Sequence, residues 1–154
     1  MLASELSTTN TVSTSLSSFI FAKCDNEVLT VLVVDNSDAN TEAEGQAYLE
    51  THNNWPADKW IQCSYNTRGG VHALDGTPFR ANYPNIGDKW DSTNSIFHQT
   101  QPYESWTLNT TTGLWEAPVD KPDTDCTHSD GTTIKDSYAW NEDNREWDKN
   151  TVTY

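Results

Sequence analysis

The sequence predicts a mainly β (α+β) protein in which a small strand-helix-strand module is followed by three Trp-rich β-hairpin repeats. Three observations carry this expectation. Only 34% of the 154 residues are hydrophobic, yet 7 Trp, 6 Tyr and 4 Phe are present, so rings must supply much of the core. Stiff aromatic side chains that bury a large area can hold small β units together where aliphatic residues are scarce. Residues 28–34, interrupted only by Thr30, form a β-branched apolar run that reads as a strand. From Asp88 onward, a bulky apolar residue followed by Asp or Asn recurs with an aromatic seven positions later: Trp90-Asp91 leads to Phe97, Leu108-Asn109 to Trp115, and Trp140-Asn141 to Trp147.

Along the chain, residues 1–18 are rich in Ser and Thr, with one acid (Glu5), no base and scattered Leu2, Leu6, Val12 and Leu16. This is an arm rather than a domain, either flexible or a strap that orders against a partner or another copy. A strand begins at Phe19, and the run at 28–34 is expected to be buried on both faces. Asp35-Asn36-Ser37-Asp38 is a turn and helix-start signal, and 41–52 reads as a short helix with acids in its first turn. Asn53-Asn54-Trp55-Pro56 ends it, and 59–65 alternates as a further strand. These elements, with turn chemistry at Gly69-Gly70 and Asp75-Gly76-Thr77-Pro78, make up a small α/β module over 19–86.

Residues 87–154 hold the repeats. Pairing Trp90 with Phe97, Leu108 with Trp115 and Trp140 with Trp147 leaves Thr93-Asn94, Thr111-Thr112 and Asp143-Asn144 at the tips. A longer loop with a bulge at Gly113 fits equally well. In this register Glu142 faces Arg145, and Trp106 falls on the face of Leu108 opposite Ala117. Cross-strand aromatic and charge pairs contribute roughly 0.2–1 kcal/mol each, so the hairpins must lean on one another, on the module or on a neighbouring subunit. Pro102, Pro118 and Pro122 punctuate the connectors, and 123–131 reads as an exposed acidic loop.

The 9 Lys and Arg against 23 Asp and Glu give a formal charge of -14. That field repels phosphate backbones and anionic lipid, so neither a nucleic-acid nor a membrane partner is expected. No apolar run is long enough to span a bilayer, and no basic region precedes an apolar stretch, so no signal peptide is expected. Without one, the acceptor triplet Asn109-Thr110-Thr111 reads as chance. Cys24, Cys63 and Cys126 are widely spaced and imply no disulfide framework.

No catalytic, cofactor-binding or metal-binding residues are expected, and the chain does not read as an enzyme. His52, His72, His98 and His128 lack the short paired spacings of a zinc site, Cys126-Thr127-His128 being the one close Cys and His pair. The acids Asp123, Asp125 and Asp130 lack the ligand alternation and closing Glu of a calcium loop. No Ser or Thr sits in a nucleophile frame. Arg68-Gly69-Gly70-Val71-His72 lacks the Lys of a phosphate loop and reads as a turn.

Trp-Ile-Gln-Cys-Ser-Tyr-Asn-Thr-Arg-Gly-Gly-Val-His at 60–72, Asn-Tyr-Pro-Asn-Ile-Gly at 82–87, Pro-Tyr-Glu-Ser-Trp-Thr-Leu-Asn at 102–109, Leu-Trp-Glu-Ala-Pro at 114–118 and Tyr-Ala-Trp-Asn-Glu-Asp-Asn at 138–144 occur in this order. Together they resemble small virion-associated proteins of tailed phages that infect marine bacteria, especially cyanobacteria. The resemblance covers roughly 28–147 and implies a virion structural protein, with no catalytic residues to carry over. The chain departs from that pattern in its arm at 1–18, in His98-Gln99-Thr100 where the family tends to have prolines, and in the acidic loop at 123–135.

The expected role is an exterior decoration or accessory component of a phage virion, more on the capsid than on the tail or fibre. Its expected partners are other virion proteins and further copies of itself. A glycan-binding adhesin using exposed Trp, and an assembly chaperone, are the alternatives. With so few aliphatic residues, the Trp side chains are expected to serve the core before any ligand.

Overall fold

A computed structural model describes residues 19–123, 125–127, 133–135 and 137–150. The arm at 1–18 lies outside the described residues, as do His128, Asp130 and Gly131 of the acidic loop. The fold is mainly β, with one α-helix and several small antiparallel hairpins.

Strand β1 (Phe19–Asp25) turns at Asn26 into β2 (Glu27–Val34). Asn26 takes the left-handed conformation, φ 62°, which Asn enters more cheaply than most residues. The ladder runs from Phe19↔Val34 to Lys23↔Thr30 and then shifts to Cys24↔Val28, a bulge that leaves Leu29 over. Helix α1 (Glu42–Asn53) starts where Thr41 Oγ1 accepts from Glu44 N and stops at left-handed Asn54. A 3-10 turn at Ala57–Lys59 leads into β3 (Trp60–Cys63), which pairs with β1 to give the sheet order β2-β1-β3.

The remaining strands form five hairpins. β4 (Thr67–Arg68) and β5 (Val71–His72) enclose Gly69-Gly70, both at positive φ, as the tightest hairpin turn requires. They are followed by β6 (Lys89–Asp91) with β7 (Ile96–His98), β8 (Thr107–Asn109) with β9 (Leu114–Glu116), β10 (Asp125–Thr127) with β11 (Thr133–Lys135), and β12 (Ser137–Asn141) with β13 (Glu146–Asn150). The β10–β11 pairing corrects the expected exposed loop, since Asp125–Thr127 is in a ladder.

The three-stranded sheet is covered on both faces. Phe21, Val34 and Trp60 pack with Ala39 and Leu49 on the helix side. There Gly45 lies directly under the Phe21 ring, so a Cβ at that position would collide with it. On the other face Ala22, Cys24, Val28 and Cys63 receive Phe97, flanked by Trp90 and Tyr83. The β6–β7 hairpin is therefore core material, and contacts run across the expected boundary between 86 and 87. Val28 N donates to Asp88 O at 2.7 Å, Gly87 N donates to Val28 O at 2.8 Å, and Lys89 pairs with Glu27 at 3.1 Å.

This arrangement corrects the reading of residues 28–34. β2 is an edge strand, with Leu29 39% and Val33 66% exposed, whereas the shorter β1 is central and buries both Phe21 and Ala22 completely. An apolar run reports the propensity to form a strand, and its place in the sheet depends on pairings that run length does not encode. A forked ion pair closes the module: Arg80 Nη1 and Nη2 reach Glu42 Oε1 and Oε2 at 2.8 and 3.0 Å, while Nη1 also donates to Gln62 O at 2.7 Å.

Candidate functional site

The six aromatic and apolar residues singled out by spacing face each other as pairs: Trp90↔Phe97, Leu108↔Trp115 and Trp140↔Trp147. Ring centroids lie 4.7 Å apart in the first pair and 5.2 Å in the third. The ladders end at Asp91↔Ile96, Asn109↔Leu114 and Asn141↔Glu146, so each loop has the longer form rather than a two-residue tip. The last loop residue is left-handed in all three, Ser95 at φ 56°, Gly113 at 65° and Arg145 at 53°.

The Asp or Asn that follows each leading apolar residue closes its own loop. Asp91 Oδ1 accepts from Thr93 N and Asn94 N at 2.9 and 3.1 Å, Asn109 Oδ1 accepts from Thr111 N and Thr112 N at 2.9 and 3.1 Å, and Asn141 Oδ1 accepts from Asn144 N at 3.1 Å. The first two are Asx turns, which Asp and Asn form more strongly than Ser or Thr; Asn141 makes only the bond to the residue three positions on. The asparagines use their other end across the strand, Asn109 Nδ2 to Glu116 at 2.7 Å and Asn141 Nδ2 to Asp148 at 2.8 Å. Asp91 has no amide to donate, and His98 stands at the corresponding position; the hydrogen bonds from Asn94, then that from Thr93, hold the Asp91 carboxyl below its usual range.

Two expected contacts are replaced. Glu142 lies in the loop and does not face Arg145 across a ladder, because the ladder stops at Asn141↔Glu146. Trp106 does not pair with Ala117, because that ladder stops at Thr107↔Glu116. Trp106 packs instead on Trp140 and Trp147, at 5.9 Å from each. The hairpins that carry the three spaced pairs are linked by indole hydrogen bonds, Trp115 Nε1 to Gln99 O at 2.8 Å and Trp147 Nε1 to Val119 O at 2.9 Å.

Between β4–β5, the 82–88 segment and the faces of β7 and β9 lies a cleft of about 840 Å³. Tyr65, Tyr83, His98, Trp106 and Trp115 supply rings to its lining, Asn66, Asn85 and Gln99 supply amides, and Arg68 and Asp88 supply one charge of each sign. Asn82 holds the walls together. Its Oδ1 accepts from Gly69 N at 2.8 Å, and its Nδ2 donates to Phe97 O, Thr112 O and Gly113 O at 2.8, 3.1 and 3.2 Å. Gly113 is buried against this clip, where a Cβ would meet Asn82 Nδ2 and lie 2.7 Å from Phe97 O.

The rings of the cleft are set by their neighbours. Trp115 is fixed by its bond to Gln99 O and by His98 edge-on at 5.8 Å. Tyr83 carries Tyr65 edge-on at 5.4 Å, and burial raises the Tyr83 phenol above its ordinary range. Tyr65 itself is 73% exposed at the rim. His98 Nδ1 lies 2.8 Å from Gln99 O. A carbonyl can only accept, so Nδ1 donates in this bond.

Spacing placed the paired rings but not the cleft, because Tyr65, Asn82, Asn85 and Asp88 sit in segments with no regular repeat. The usable signal was the mixture of ring and amide at 65–66, 82–85 and 98–99. Among the described residues no three His, Cys, Asp or Glu side chains gather as metal ligands, and no helix is long and apolar enough to cross a membrane. The Cys24 and Cys63 thiols are buried, and desolvation pushes them up to about 11 and about 12. Compared with protein-family models, curated proteins and solved structures, the chain matches none.

Proposed function

We propose that the chain is a structural protein of a tailed-phage virion, carried on the particle exterior as a decoration or accessory component, on the capsid rather than on the tail or fibre. The observation that carries the reading is where the resembling segments fall. Those at 60–72, 82–87, 102–109 and 114–118 contribute Tyr65, Asn66, Asn82, Tyr83, Trp106 and Trp115 to one continuous surface around the cleft. The formal charge of -14 suits a protein that faces solvent and keeps clear of packaged nucleic acid.

We also infer that the hairpins β6–β7, β8–β9 and β12–β13 are three copies of one repeated unit. The support is positional: a shared spacing of seven, an Asp or Asn whose Oδ1 accepts from the backbone N three residues on, and a left-handed residue closing each loop.

Proteomics of gradient-purified particles tests the main reading. Recovery of the chain at a stoichiometry comparable with other minor structural proteins is expected, and its labelling by antibody on intact heads distinguishes capsid from tail. Presence in infected lysate with absence from mature particles would overturn the reading in favour of an assembly chaperone.

A further inference from the structure

We propose that the cleft between β4–β5 and the β9 face is a binding site for a neutral saccharide. This inference needs the cleft alone and stands whether or not the chain belongs to a particle. The volume, about 840 Å³, falls within the range of roughly 300–1,000 Å³ typical of small-molecule sites.

The lining has the two kinds of surface that a sugar ring presents. A pyranose shows C–H groups on its faces and hydroxyls around its rim. Aromatic faces receive the first, and side-chain amides, which both donate and accept, receive the second. Tyr65 is the ring most available for stacking, because it stands 73% exposed beside Tyr83, in a T-shaped pair. Trp115 is immobilised across from the β4–β5 hairpin by its bond to Gln99 O, so it would lose little freedom on binding. Asn66, Asn85 and Gln99 bring amides to the same lining, and Arg68 and Asp88 bring a strong donor and a strong acceptor. Among the described residues, the Asn66 amide and the Arg68 guanidinium make no hydrogen bond or ion pair.

The same chemistry disfavours other small ligands. A phosphorylated ligand would meet one guanidinium, a carboxylate and a net charge of -14, a combination that repels anions. A proline-rich peptide would use the rings, but an extended proline helix offers mainly carbonyl acceptors, and these cannot satisfy the accepting ends of the amides or add to the one bond from Asn85 N, at 2.7 Å, and the longer one from Asn85 Nδ2, at 3.4 Å, that Asp88 Oδ2 accepts. Hydroxyls satisfy both. Weak single-site binding would suffice on any array of copies, because linked sites raise avidity without new contacts.

The test is a titration of the full chain, followed by tryptophan fluorescence and by amide NMR shifts, with short gluco-, manno- and galacto-oligosaccharides. A proline-rich peptide and a nucleoside diphosphate serve as competing probes. Saturable binding of at least one neutral oligosaccharide is expected, with shifts at 65–71, 82–88 and 113–115. Tyr65→Ala should weaken it about tenfold, Tyr65→Phe should retain most of it, and Val33→Ala, on the exposed edge strand, should leave it unchanged. Because Tyr65 is largely exposed, the fold should survive its replacement, which the NMR spectrum checks. The proposal is overturned if no neutral saccharide binds, if Tyr65→Ala binds as tightly as the parent, or if only the peptide or the nucleotide shifts the cleft resonances.

Discussion

Glu142, in the loop of the last hairpin, grips Ser105 from 37 residues away, accepting its backbone N at 2.8 Å and its hydroxyl at 2.7 Å. The same carboxylate accepts from Trp140 Nε1 at 2.7 Å. Three donors favour the ionised form, and the Trp140 indole, followed by Ser105, holds the Glu142 carboxyl below its ordinary range.

The sign of the pH dependence follows. As pH falls, the unfolded chain takes up the Glu142 proton first, so the stabilisation is complete above the ordinary glutamate range and is lost as pH drops through the lower folded value. As pH falls below about 5, through the ordinary glutamate range and beyond, Glu142→Gln should flatten the decline of the urea midpoint relative to the parent. A parallel decline in the two proteins would show that the carboxylate is not held in this way.

Asn82 is the joint of the cleft, with four hydrogen bonds to three separate segments. Asn82→Ala should cost about 2–3 kcal/mol, since it leaves part-buried backbone groups without partners. Chemical denaturation measures the loss, and amide exchange at Gly69 should accelerate more than exchange in β1.

The loop-closing positions make opposite demands. Gly113→Ala meets both a left-handed backbone and a Cβ 2.7 Å from Phe97 O, and should destabilise by about 2 kcal/mol or more. Arg145 holds the same conformation, φ 53°, on an exposed loop. Arg145→Gly relieves that backbone and should stabilise by about 0.5 kcal/mol after the entropy of the added glycine is set against it. Thermal midpoints of the two variants should move in opposite directions.

Cys24 and Cys63, raised to about 11 and about 12 by burial, are protonated at neutral pH and shielded from reagents. In a Cys126→Ser background, iodoacetamide at pH 8 should label neither until denaturant is added, because the thiolate is the reactive form. Labelling of the native protein at the rate of a free thiol would contradict the packing of Cys24 and Cys63 against Phe97.

Much of this fold could be read from local chemistry. The partners Trp140 and Trp147 were legible because both the spacing of seven and the Asx side chain belong to the hairpin itself. So was α1, whose cap Thr41 and first-turn acids are local signals. What sequence missed is what long-range pairing decides. β2 reads as more buried than β1 until β3 is seen to add to the other side of β1. Arg145 was the natural partner of Glu142 until Ser105 arrived from another hairpin. The cleft was hidden for the same reason, since its walls are joined by long-range bonds such as those of Asn82, whose local context gives no sign of that role.

The indole links from Trp115 to Gln99 and from Trp147 to Val119 give the molecule a direction under load. β9 is fastened to the connector that leaves β7, and β13 to the connector that leaves β9. A pull on the C-terminal end therefore meets the Trp147 fastening and the Glu142 grip on Ser105 first, then the Trp115 bond and the Asn82 clip, and reaches the sheet around Phe97 only after these have parted. Rupture should come in steps, with the N-terminal sheet last, so the C-terminal half would yield under strain while the sheet stays folded.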